Sequence, residues 1–395
     1  MNPTRLLRAR LVLILAVLSM TAALNVLAAT IPQPQVNQQA EMQQRLQRLL
    51  NELHALNGFP GMTAAAVLPD GTLITAATGD SDLASKTPMT PSERMLAGSI
   101  GKTFFAAVFM QLAAEGKLDL NQKISYWLAD EPWFKRLPNA NDITFKMLLN
   151  HTSGIPEHVE SAEFVEALWK DPDRVWTPQE ILAYTFDKPA KFPAGTDWSY
   201  ADTNFILAAY IVQSKITKRP LYDQIREQIL VPLDLKNTEP STSRTLRDLA
   251  TGYSMPNSPF KIEGAMLKNG KLPFNPQMEW AGGGFISTSS DLARWAKLLY
   301  EGKAFDPKML PVMETAVPAK TGPGDEYGLG LQVRHTDYGI TYGHGGWFPG
   351  YLSEMEYFPD HHTSIAVQIN SDNRAMVKTS THRYILAIAT ALFQD

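Results

Sequence analysis

The chain has 395 residues, 44% of them hydrophobic and 10% aromatic, with a charged fraction of 19% and a formal net charge of −4. So much apolar content with so little charge excludes a disordered chain, and an acidic balance excludes nucleic acid as the natural partner, because phosphate binding wants a basic surface. The absence of cysteine excludes disulfides, thiol catalysis and a cysteine-linked lipid anchor.

Residues 1–29 carry Arg5, Arg8 and Arg10, then the apolar run Leu11 to Leu18, then small residues ending Val26-Leu27-Ala28-Ala29. These are the three parts of a secretory signal peptide, and they predict an exported protein, periplasmic or secreted. An uncleaved N-terminal anchor is the alternative; with the leader removed, no stable membrane span is expected and the formal charge moves from −4 to −7 through loss of the three arginines. Residues 30–40 are rich in Pro, Gln and Asn and read as a linker. Glu41 to Leu56 places leucines at 46, 49, 50 and 53, the spacing of an amphipathic helix. Met62 to Leu68 and Thr72 to Ala77 flank Pro69-Asp70-Gly71, a hairpin signal.

From Ile100 to Glu115 the chain predicts a helix apolar on nearly every face, hence interior, with Gly116 as its stop. Ser99 and Lys102, three apart at its start, stack on one side of a helical turn. Burying an ammonium with no matched carboxylate lowers a lysine pKa, and a neutral amine beside a hydroxyl can serve as its general base. The bland alternative is a cap at Ser99 and a snorkelling Lys102. A second Ser-x-x-Lys, Ser258 to Lys261, sits in a proline-bearing loop and marks the chance background.

Residues from about 117 to 276 read as helical patches broken by Pro, Asp and Asn, among them a nearly continuous apolar helix over Phe205 to Val212. Ser290 is placed to cap a helix running to Tyr300. Strands are expected over Tyr327 to Val333, part of Trp347 to Phe358, and Thr363 to Ile369, with a closing helix over Arg383 to Phe393. Strands at both ends and helices between predict an α/β fold: one antiparallel sheet assembled from the chain ends, with flanking helices and a mostly helical insertion.

Two further groups bear chemistry. Tyr200-Ala201-Asp202 precedes the Phe205 helix, and Tyr200 alone among the 13 tyrosines has Asn or Asp two residues on. A tyrosine on such a loop can move a proton if a positive neighbour stabilises its phenolate; otherwise Asp202 or Thr203 caps the helix and Tyr200 packs as a ring. His344-Gly345-Gly346-Trp347 heads a strand, where the glycines let another backbone approach, or else form a bulge. His361-His362 as a metal pair is disfavoured, since neighbours in an extended segment point apart.

Ser99-Ile100-Gly101-Lys102, Tyr200-Ala201-Asp202 and His344-Gly345-Gly346 stand in the order of the three motifs of the penicillin-recognising serine hydrolases. The chain resembles the branch holding class C β-lactamases, D-alanyl-D-alanine carboxypeptidases, D-aminopeptidases and related esterases. His151-Thr152-Ser153-Gly154, Pro193-Ala194-Gly195 and Gly282-Gly283-Gly284 add to the likeness, which covers Gln44 to Phe393. The resemblance implies a β-lactamase/transpeptidase-like fold over residues 41–395 and an acyl-enzyme route without metal or cofactor. Ser99 would be the nucleophile, Lys102 the base, Tyr200 the proton carrier to the leaving group, and the N–H groups of Ser99 and Trp347 the oxyanion hole. Asp202, His344 and Gly346 would meet a small-molecule or peptide substrate, His344 by orienting the tyrosine or receiving a carboxylate. Asp202 replaces the family's usual Asn and His344 the lactamases' Lys, which favours a small amide, peptide or ester over a lactam. The alternatives are a β-lactamase or D-alanyl-D-alanine carboxypeptidase, and a non-catalytic scaffold that binds cell-wall peptides.

Overall fold

The computed structural model describes residues 33–393 apart from residue 323. The leader expected over residues 1–29 lies outside the described residues. Within the segment read as a linker, the chain is helical from Gln33 onward, and that helix, α1 (Gln33–Asn57), contains the expected amphipathic stretch with Leu46 and Leu50 fully buried.

The main sheet is built from both chain ends. Its early strands are β1 (Gly61–Val67), β2 (Leu73–Asp82) and β3 (Thr87–Pro88); its late strands are β4 (Val317–Pro318), β5 (Glu326–Tyr327), β6 (Gln332–Thr336), β7 (Gly339–Phe348), β8 (Tyr351–Phe358) and β9 (Thr363–Ile369). Their order is β3-β2-β1-β9-β8-β7-β6-β5-β4, antiparallel at every pairing. β1 and β9, far apart in sequence, pair where the early and late strands meet and are buried along their whole length, as a strand covered on both faces must be.

Helices cover both faces. Lys102–Ala114 forms α2 and Asp202–Ile211 forms α3. On one face of the sheet, α4 (Ser289–Tyr300) is bound through Ser364 Oγ on the Ala293 carbonyl at 2.6 Å and through the Ser289 and Thr63 hydroxyls, also 2.6 Å apart. On the other, α5 (Thr381–Phe393) is tied by Thr381 Oγ1 to Glu354 at 2.7 Å. The α4 cap is Thr288, whose Oγ1 accepts from the N–H of Asp291 at 3.2 Å; the expected cap, Ser290, already lies inside the helix. Thr288 is the last residue with extended backbone, as a cap must be.

The helix at α2 is interior as its sequence predicts, with Phe104, Phe105 and Phe109 fully buried. Phe104 stacks on Trp295 of α4 at 4.4 Å, and the Trp295 indole donates to Thr103 at 2.7 Å. Burying each aromatic ring contributes roughly 2–3 kcal/mol before the entropy cost of ordering it. Gly116 stops the helix in the left-handed region at φ 68°.

The late sheet contains more strands than the three expected. Tyr327 to Val333 is broken by Gly330, at φ 88°, and β7 escapes recognition because its second half, Gly343-His344-Gly345-Gly346, lacks the β-branched residues that signal a strand. The sequence segment between α2 and α4 holds short helices and strands of two or three residues, with α3 beginning three residues before its apolar run at Phe205.

Candidate active site

A 3-10 turn, Gly98–Gly101, feeds directly into α2, so Ser99 and Lys102 occupy successive turns on one side. Lys102 is fully buried, and its Nζ lies 3.0 Å from Ser99 Oγ. Nζ also donates to Asp202 Oδ1 at 2.5 Å and to the Gly282 carbonyl. The expectation of a lysine without a matched carboxylate is therefore corrected: the first residue of α3, a hundred positions along the chain, supplies one.

Ala201 is the cap position of α3 and Asp202 its first helical residue; no side chain caps the helix. The Asp202 carboxylate points to Lys102 instead, 19% exposed, while its own N–H donates to Glu157, which pairs with His158 at 2.9 Å. Burial raises the Asp202 pKa, the nearby Lys102 charge opposing it.

The Tyr200 ring lies under Lys102 Nζ, 4.8 Å from its centroid, and against the His151 ring at 4.3 Å. Its hydroxyl is buried and makes no well-aligned hydrogen bond. Burial, and then the Asp202 charge, hold its pKa well above that of an ordinary phenol, with the Ser99 hydroxyl acting the other way. Tyr200 is thus a protonated phenol at rest, equipped to give a proton rather than to take one. The phenolate expected from its positive neighbour does not prevail, because burial and then the Asp202 charge favour the neutral ring.

His344 is 1% exposed and both ring nitrogens are engaged inside the protein. Nδ1 lies 2.6 Å from the Gly345 carbonyl and Nε2 2.7 Å from the Tyr327 hydroxyl. A carbonyl can only accept, so Nδ1 carries the hydrogen and Nε2 accepts from Tyr327. Burial pushes the His344 pKa down to about 3. A neutral, enclosed ring cannot receive a substrate carboxylate as a cation, and its hydroxyl partner is Tyr327 instead of Tyr200.

Trp347 and Gly346 bring β7 to the nucleophile. A Cβ on Gly346 would run into the Ala97 carbonyl, and one on Gly98, at φ 53°, would sit 2.6 Å from the Trp347 nitrogen. Ser353 Oγ secures the same junction by donating to the Ala97 carbonyl at 2.6 Å. Gly345 donates its N–H toward β6 at 3.0 Å, so the N–H of Trp347, two residues on, faces the same edge, where β6 no longer runs.

Sequence reasoning missed Glu279, Tyr327 and Gln332. Glu279 is a lone carboxyl between Met278 and Trp280, 7% exposed, accepting from the N–H of Gly284 at 2.8 Å. It braces the loop that presents the Gly282 carbonyl to Lys102, a loop in which Trp280 is held at φ 35°. An acid inside an apolar, glycine-rich phrase was the available signal. Burial pushes its pKa from 4.5 up to about 8. In that window the folded protein keeps a proton that the unfolded chain releases, so stability falls as pH rises, by at most about 1.4 kcal/mol per pH unit. Glu279→Gln removes this dependence: the melting temperature of the variant should gain on that of the parent from pH 6 to pH 8, and a difference constant with pH would refute the assignment.

The second Ser-x-x-Lys assembles no such site: Lys261 is 62% exposed, with its Nζ 3.8 Å from Glu166. His361 stacks on Phe393 at 3.9 Å. Among the described residues no group of three or more His, Cys, Asp or Glu side chains could hold a metal ion.

The Beta-lactamase family profile matches residues 46–390. The chain is 26% identical to a D-aminopeptidase of Brucella anthropi over 320 residues, which is 80% of this chain and 57% of that protein. It therefore spans little more than half the length of that relative. Among solved structures, a D-stereospecific amidohydrolase from Streptomyces sp. superposes with a TM-score of 0.72 at 29% identity, covering 86% of this chain and 97% of the other. The D-amino acid amidase from Ochrobactrum anthropi SV3, complexed with L-phenylalanine amide, superposes with a TM-score of 0.75 at 25% identity, covering 89% and 98%.

Proposed function

The chain belongs to the Beta-lactamase family, and from that premise we propose that residues 41–395 form a serine hydrolase that cleaves small amides of D-amino acids through an acyl-enzyme on Ser99. The observation that carries this reading is the unbroken chain Ser99–Lys102–Asp202, with bonds of 3.0 and 2.5 Å, whose ammonium sits over the Tyr200 ring. The choice of substrate class rests on the relatives named above.

Lys102 donates to three acceptors and must lose a proton before it can act as a base. Asp202, whose basicity burial enhances, takes that proton along the short bond. The freed amine accepts the Ser99 proton as Oγ attacks the substrate carbonyl carbon, and the oxyanion is received by the N–H groups of Ser99 and Trp347. When the carbon–nitrogen bond breaks, Tyr200 gives its proton to the leaving amine and is reprotonated from Lys102. A water then attacks the ester carbonyl, giving a proton to Lys102, which passes one to Ser99 Oγ as the ester bond breaks and the acid departs. Gly346 serves by letting β7 reach Ala97, and His344 by fixing Tyr327 and the Gly345 carbonyl.

The leader-like composition of residues 1–29 supports export; among the described residues no helix is long and apolar enough to cross a membrane. The reading is tested by incubating the protein with D- and L-amino-acid amides, a chromogenic cephalosporin and a fluorophosphonate probe. Ammonia release from the D-amides, with the probe on Ser99, is expected. Faster turnover of the cephalosporin would move the assignment to a lactamase, and binding without any turnover to a scaffold.

A further inference from the structure

The ladder between β6 and β7 ends at the Gln332–Gly343 pair. Beyond it the edge of β7 faces the candidate site, and on that edge lie the N–H and C=O groups of alternate residues, here Gly345 and then Trp347. Both groups of Gly345 are already occupied. Its N–H donates to Gln332 Oε1 at 3.0 Å, and its carbonyl receives His344 Nδ1 at 2.6 Å. Gln332, itself 9% exposed, is locked by the Arg334 guanidinium at 2.7 Å, which is held in turn by Glu354 and Glu356 at 2.8 Å each. On the other side of Trp347, the next residue on the edge is Pro349, which has no N–H and starts the turn between β7 and β8.

A substrate laid antiparallel along this edge, with its scissile carbonyl on the Trp347 N–H, runs in the opposite direction to β7. Its leaving-group side therefore passes Gly345 and its acyl side passes Pro349. Neither position offers the pair of backbone groups that an added strand needs. We propose that Gln332 determines substrate length: by closing the β7 edge at Gly345 it confines backbone pairing to Trp347 and restricts the leaving group to ammonia or one residue. Without Gln332, the Gly345 N–H would be free to receive the carbonyl of a second leaving-group residue. This rests on the hydrolase reading above and deepens it by setting which leaving groups, ammonia or a single residue, the D-amino-acyl substrate carries.

The test measures kcat and KM for D-phenylalanine amide, D-phenylalanyl-glycine and D-phenylalanyl-triglycine with the parent protein, Gln332→Leu and Gln332→Glu. One hydrogen bond gained or lost corresponds to about a tenfold change. The parent should lose about that factor or more in kcat/KM between the dipeptide and the triglycine substrate. Gln332→Leu should shrink the gap to below about threefold, and Gln332→Glu, which keeps an acceptor for both Gly345 and Arg334, should restore it. Equal turnover of all three substrates by the parent overturns the proposal even if a variant fails to fold. So does a gap that Gln332→Leu leaves unchanged or Gln332→Glu fails to restore. Absence of any Ser99-dependent hydrolysis refutes the hydrolase reading itself, and the proposal with it; hydrolysis without length selection refutes the proposal alone.

Discussion

Ser99→Ala is expected to lower kcat/KM for a D-amino-acid amide by about 10⁴-fold or more and to abolish fluorophosphonate labelling. The melting temperature should move by no more than about 2 °C, since the change removes one hydroxyl from a residue that is only partly buried. Lys102→Met should lose nearly as much, because the hydroxyl 3.0 Å away then has no group to take its proton. The double variant should be no worse than either single one: residues that act on one proton fail together. Steady-state kinetics of the three proteins decide the matter. Additive losses would mean that Ser99 and Lys102 act on separate steps, and undiminished activity in Ser99→Ala would remove the acyl-enzyme route altogether.

Asp202→Asn should lower kcat by about 10²-fold or more while leaving KM within about threefold. The substitution keeps an acceptor for Lys102 Nζ but removes the carboxylate that can take its proton. The effect should be the same for a D-amino-acid amide and its N-acetyl derivative, because the oxygen involved faces Lys102, not the substrate. The contrasting outcome is equally informative. A rise in KM confined to the free amine, with kcat preserved, would make Asp202 the receptor of the substrate ammonium, as its chemistry in isolation suggests.

Ser99 and Lys102 are three residues apart on a helix too apolar to lie anywhere but inside, so spacing alone brought them to one side. The hairpin of β1 and β2, the closing helix and the sheet assembled from both ends were legible for the same reason: periodicity and turn chemistry act over a few residues. The family likeness added Tyr200 and His344 through order along the chain. It did not reveal their partners. His344 binds Tyr327 and the Gly345 carbonyl because the sheet buries it, and Tyr200 stays protonated because burial and Asp202 outweigh the cation over its ring.

Local patterning of apolar residues, caps and glycines therefore determined which segments become helix or strand and which hydroxyl has an amine one turn away. Only the tertiary structure decided what that amine is bonded to. Asp202, the Gly282 carbonyl and the Glu279 brace reach it from segments 100 to 180 positions away, and contacts at such separations follow from how the elements pack. Desolvation, which raises Asp202 and Glu279 and neutralises His344, likewise depends on what surrounds a side chain and leaves no mark on the order of its neighbours in the chain.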